Sequence, residues 1–110
     1  MKYYLIEEIN DRDMEKLALF LRENGTASGL ERLFWINVPE KYLNVVQSGH
    51  AVCKPYVFAI ELGAGTAKAE LFIRNLTDMR CSCSGYSDKK QSQFIISFVD
   101  EMIRRLDIRT

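Results

Sequence analysis

The sequence predicts an α+β fold, a two-layer sandwich in which a mixed sheet carries helices on one face. Three observations lead there. Apolar residues recur at helical spacing near both ends of the chain. Two β-rich runs in its second half are joined by a short glycine-containing turn. Hydrophobic and charged residues make up 47% and 27% of the chain, the balance of an ordinary soluble globular domain. Residues 1–110 are read as one domain, because a chain of this length buries roughly two thirds of its unfolded surface and needs neither disulfide nor metal to fold.

The expected order of elements is β-α-β-α-β-β, a further short strand, then a long helix. Residues 2–9 contain Tyr3, Tyr4, Leu5, Ile6 and Ile9, which suits an opening strand. Asn10 or Asp11 then caps a helix over 11–24, whose inward face is Met14, Leu17, Ala18 and Leu21 and which Gly25 ends. After a polar connector at 25–29, Leu33 to Val38 reads as a strand that includes Trp35, taken as a core residue. The first β-α-β unit is expected to be a right-handed parallel crossover. Pro39 opens a short helix with Tyr42, Val45 and Val46 inward, stopped by Gly49.

Tyr56–Leu62 and Ala67–Asn75 read as a hairpin around Gly63-Ala64-Gly65-Thr66. Phe58, Ile60 and Leu62 share one face, and Ala69, Leu71 and Ile73 share a face of the partner, while Lys68, Glu70 and Arg74 point to water. Met79 to Cys83 is the further strand. Ser87 caps the closing helix, whose stripe is Ile95, Phe98, Val99, Met102 and Leu106. Small two-layer nucleic-acid-binding domains and small sulfur carriers use a similar element order. The chain has neither a basic glycine-containing loop nor a cysteine-proline pair opening its first helix, so no family is assigned.

Several functions are set aside on chemistry. The chain carries 15 Lys and Arg against 15 Asp and Glu, so no net field draws in nucleic acid or an anionic membrane. No apolar run has the length of a membrane span or of a signal peptide, and an odd count of 3 cysteines suits reduced thiols, so a cytoplasmic location is expected. Gly63-Ala64-Gly65 joins two strands and leads into no helix that could hold a phosphate. No hydrolase elbow and no glycine-rich lysine loop is present, and Glu7 and Glu8 point to opposite faces of a strand. The reading is a binding or interaction module rather than an enzyme.

The residues with chemistry near neutral pH are His50, Cys53, Cys81 and Cys83. If Leu62 opposes Ala67, the same ladder carried onward sets Cys53 against Leu76 and His50 beside Met79, which brings all four to one end of the sheet. Three thiolates and an imidazole form a tetrahedral zinc set, with zinc as an addition that folding does not require. The weak half is C-S-C: in a strand, Cys81 and Cys83 stand ~6–7 Å apart and need a bend to share one ion. The same residues also read as buried apolar thiols, or as a cysteine-dependent redox or sulfur-handling site built on a Cys81–Cys83 disulfide. A third reading, weak nucleic-acid binding, rests on Lys68, Phe72, Arg74, Arg80, Lys89 and Lys90, diluted by Glu61 and Glu70. Expected partners are a protein or a second copy meeting Phe72, with no membrane.

Overall fold

The computed structural model describes residues 1–78 and 80–110. Strand β1 (Tyr3–Ile6) leads into helix α1 (Asp11–Asn24), which starts where the Asn10 side chain accepts the Asp13 amide at 2.8 Å. Strands β2 (Thr26–Ala27) and β3 (Leu33–Asn37) follow. The segment from 40 to 53 is broken into a 3-10 turn (Glu40–Tyr42), the four-residue α2 (Val45–Ser48) and a second 3-10 turn (Ala51–Cys53). Then come β4 (Tyr56–Leu62), β5 (Ala67–Glu70), β6 (Phe72–Asn75), β7 (Gly85–Tyr86) and the long helix α3 (Lys89–Arg105). Asp88, one residue beyond the expected Ser87, caps α3 in a reciprocal box with Gln91.

The class is α+β, and the sheet runs β1-β5-β4-β3-β2, with β6 beside β4 and β7 beside β6. Every pairing among the described residues is antiparallel, where a parallel crossover in a mixed sheet was expected. The reason lies in the supposed connector. Thr26 and Ala27 pair with Trp35 and Phe34, so the chain reverses once more before β3 enters the sheet against β4. Strand β1 pairs instead with the free edge of β5.

The hairpin register is as expected, with Leu62 opposite Ala67. Continued unbroken, that ladder would set Val57 opposite Phe72, yet Val57 faces Arg74. The slip occurs at Leu71, whose amide donates to the Lys2 carbonyl and whose carbonyl accepts from Ser87. Because the slip is an even number of residues, the side-chain parity survives. Ala67, Ala69, Ile73 and Asn75 are all buried on the side of Phe58 and Ile60.

That face is the core. Phe58 packs edge-on against Phe94 and Phe98 of α3, with ring centroids 6.0 and 5.7 Å apart, and Phe98 in turn meets Phe20 of α1 at 6.4 Å. Met14, Leu17 and Leu21 of α1 join Phe34 and Ile36 in the same buried cluster. Trp35 is a correction: it lies half-buried on the opposite face, across from Ala59. On that face Lys68 sits over Tyr3 and near Glu61, while Arg74 sits over Phe72 and grips both oxygens of Glu70. No helix among the described residues is long and apolar enough to cross a membrane.

A second correction concerns the short helix. Tyr42 does turn inward, stacking on Phe94 at 4.6 Å, but Val45 is 90% exposed and Val46 also faces outward. Asn44 and Gln47 form a reciprocal capping box that turns Gln47 inward instead. The expected strand from Met79 to Cys83 is also absent from 80–83, which form a turn, while Met79 lies outside the described residues. The short strand falls at β7.

Gly25 closes α1 where the backbone of β3 passes close by. A Cβ there would stand 2.9 Å from Ile36 Cδ1, 2.9 Å from the Leu21 carbonyl and 3.0 Å from the Trp35 carbonyl. Two of these neighbours are backbone and cannot swing away. Gly25→Ala is therefore expected to cost about 1–3 kcal/mol, read as a lowered urea midpoint; an unchanged midpoint would show that α1 and β3 separate freely.

Candidate metal centre

The three cysteines meet at the Tyr56 end of β4. Cys53 ends the 3-10 turn after α2, held by its amide to the His50 carbonyl at 2.9 Å. Cys81 and Cys83 come from the loop between β6 and β7. Their Sγ atoms and that of Cys53 all lie within 4.8 Å of one another. Two zinc-bound thiolates at ~2.3 Å bonds stand about 3.8 Å apart in a tetrahedron. A contraction of about an ångström or less per pair would therefore seat the ion, and the cluster is a donor set able to hold a metal.

The loop geometry explains why C-S-C converges. Asn75 Oδ1 accepts the Asp78 amide at 2.7 Å, Asp78 Oδ1 accepts the Arg80 amide at 3.0 Å, and the Asp78 carbonyl accepts the Cys81 amide at 3.2 Å. The chain is thus curled before Cys81, and the extended spacing that would part the sulfurs never arises. Opposite this turn, Thr77 Oγ1 donates to the Lys54 carbonyl at 3.1 Å, tying the loop to the segment that carries Cys53.

His50 lies at the same end but outside the sulfur group. Its Nδ1 lies 2.5 Å from the Val46 carbonyl, and because a carbonyl only accepts, Nδ1 is the donor in that bond, so that in the neutral ring Nε2 holds the lone pair. The orientation of a metal-ligating histidine is set by such a backbone bond.

Four side chains without a metal-ligand signature build the floor of the centre. Asn75 Nδ2 donates to Cys83 Sγ at 3.2 Å and to Ser84 Oγ at 3.1 Å. The single Tyr56 hydroxyl proton is shared between the same sulfur and the His50 carbonyl, whose oxygen lies 3.4 Å from the hydroxyl. Gln91 Nε2 donates to Gln47 Oε1 at 2.8 Å, and Gln47 Nε2 donates to the Cys83 carbonyl at 3.1 Å. In sequence these are a β-strand tyrosine, an asparagine at a strand end and two helix glutamines, one of them in the helix that carries the clearest apolar stripe. The only cue was that Gln47 and Gln91 each stand three residues beyond a capping residue.

Burial and hydrogen bonding treat the thiols differently. Cys53 is 1% exposed, and its burial, reinforced by the neighbouring Cys81 and Cys83 sulfurs, pushes its thiol up to about 12. Burial pushes Cys83 the same way, but hydrogen bonds from Tyr56, the other two thiols and Asn75 outweigh it and hold Cys83 below the usual range. Tyr56 is raised by burial and by giving its hydrogen bond to Cys83. Cys83 therefore gives up its proton more readily than Cys53.

Gln47→Ala would leave the Cys83 carbonyl and the Gln91 amide without their buried partner. The expected cost is about 2 kcal/mol, with Cys83 less firmly placed, read by denaturant unfolding and by the rate at which a thiol reagent labels Cys83. Labelling at the wild-type rate would show that Gln47 does not place this residue.

A cleft of about 540 Å³ opens at the other end of β4, with Arg22 and Arg32 at its rim over Met14, Phe34 and Leu62. Carboxylates of Asp11, Glu15 and Glu31 share its lining, and the cysteine cluster lies apart from it at the Tyr56 end. Comparison of the chain with protein-family models, with curated proteins and with solved structures finds no match.

Proposed function

We propose that this chain is a small interaction module whose docking end is braced by zinc, held by Cys53, Cys81 and Cys83 with His50 Nε2 as the fourth ligand. The observation that carries the reading is the meeting of three sulfurs, from two segments distant in sequence, within 4.8 Å of one another. His50 lies outside the sulfur group and has to turn toward it, and with Nδ1 as the donor to Val46 the neutral ring offers Nε2 as the ligand atom. Zinc suits a set of three thiolates and an imidazole, and with four protein ligands the site would be closed and structural rather than catalytic.

The surroundings support an interaction role. The two segments that zinc would join carry Val45, Val46, Val52 and Leu76 exposed, with Val52 at 83%. Exposed apolar side chains gathered at one end of a small domain are what a protein partner or a second copy covers. The nucleic-acid reading is less well supported, because Lys68 and Arg74 are each matched by a carboxylate and already lie over aromatic rings. Thiols kept reduced for zinc also fit the expected cytoplasmic setting.

The test is elemental analysis of protein purified without chelator, followed by cobalt titration of the metal-free form. About one zinc per chain is expected, with cobalt giving the intense visible bands of a tetrahedral thiolate site. His50→Ala should alter those bands. A zinc content well below one together with a featureless cobalt spectrum would sink the proposal.

A further inference from the structure

We infer that hydrogen peroxide closes a disulfide between Cys53 and Cys81 and so expels zinc from this site, making it a peroxide-responsive release centre. The release half rests on the zinc reading above; the disulfide half rests on the three thiols alone.

Geometry selects the pair. A disulfide needs its sulfurs at ~2.05 Å, and all three now lie within 4.8 Å, so a local shift of the β6–β7 loop suffices. Cys81 is the half-buried member, while Cys53 and Cys83 are 1% and 3% exposed, so peroxide reaches Cys81 first. Cys83 is the poor partner for it. Its sulfur accepts from Asn75 and its carbonyl from Gln47, and a bond to Cys81 would pull it off the asparagine and close a cramped ring across Ser82. Cys53 is held through its backbone, and among the described residues no amide donates to its sulfur.

The chemistry balances with peroxide as the oxidant. The Cys81 sulfur attacks one peroxide oxygen, the O–O bond breaks, and the departing hydroxide takes up a proton as water, leaving Cys81 as the sulfenic acid. The Cys53 sulfur then attacks the Cys81 sulfur, giving up its proton or its bond to the metal. The second hydroxide leaves and is protonated to water. Two electrons pass from the pair of sulfurs to the two oxygens. A zinc ion stripped of two thiolates keeps Cys83 and His50 alone and departs as the dication.

The experiment treats zinc-loaded and metal-free protein with one equivalent of hydrogen peroxide. It reads free thiols, zinc captured by a coloured chelator, and the linked peptides by mass spectrometry without reduction. The expected result is two thiols lost per chain in both forms, a Cys53–Cys81 linked peptide, one zinc released per disulfide, and reversal of both changes by dithiothreitol. Cys81→Ser should slow thiol loss at least tenfold, whereas Cys83→Ser should still form the disulfide. A Cys81–Cys83 link, sulfinic acid in place of a disulfide, or undiminished oxidation of Cys81→Ser would overturn the assignment. A disulfide that forms while zinc stays bound would overturn the release. If the protein takes up no zinc at all, the zinc reading fails on its own, and the metal-free arm still decides the disulfide.

Discussion

Excess chelator added to the zinc-loaded protein is expected to lower its melting temperature by about 15 °C. A ligand that binds only the folded state, present at 1,000 times its dissociation constant, stabilises it by about 4 kcal/mol. For a domain of about a hundred residues each kcal/mol is worth roughly 4 °C. The metal would add to the two links that tie the segment from α2 to Lys54 to the β6–β7 loop, the Thr77 to Lys54 hydrogen bond and the Gln47 bond to the Cys83 carbonyl. The stabilisation should shrink as pH falls, since protons compete with zinc for three thiolates and one imidazole. Calorimetric scans with and without chelator measure it, and superimposable melts at neutral pH would show that no metal braces this end. Cys83→Ser should melt as the chelated wild type does and be insensitive to added zinc.

Phe58→Ala is expected to cost about 3–5 kcal/mol. The ring is fully buried in the middle of β4 and touches both Phe94 and Phe98, so its removal opens a cavity between the sheet and α3 that neither neighbour fills without leaving its own contacts. Against a total stability of about 5–15 kcal/mol, that loss brings the protein close to unfolding. Urea titration followed by circular dichroism reads it as a fallen midpoint with an unchanged slope. A shift below about 1 kcal/mol would mean that α3 re-seats itself on the sheet, and that the packing is looser than these ring contacts imply.

Much of the frame was legible because it depends on local periodicity. The helix at 11–24, the hairpin from Tyr56, the pairing of Leu62 with Ala67 and the inward stripe of the last helix each follow from neighbours a few residues apart. Where the fold departs from local pattern, the cause is different. Val45 and Val46 have the spacing of an inward stripe, but four residues of helix impose too little periodicity to compete with Gln47, whose amide satisfies two buried polar partners. Hydrophobicity alone assigns Trp35 to the core, whereas strand parity commits it to the face opposite Phe34 and Ile36. The two residues of β2 are too few to signal a strand, yet their pairing reverses the chain and turns an expected parallel crossover into an antiparallel sheet.

By itself, the sequence determined which residue types were available for chemistry, where the long elements lie, and that the hairpin would bring Cys53 and the C-S-C run to one end. These follow from covalent spacing and from apolar periods, which act within a single element. Only the tertiary structure decided that the three sulfurs converge while the His50 ring stays outside their group, with its Nδ1 proton on Val46. It also decided that Asn75, Tyr56, Gln47 and Gln91 form the floor beneath them. Those outcomes depend on a turn anchored by side-chain hydrogen bonds and on burying polar groups only where partners from other elements meet them, and no local pattern encodes such a meeting.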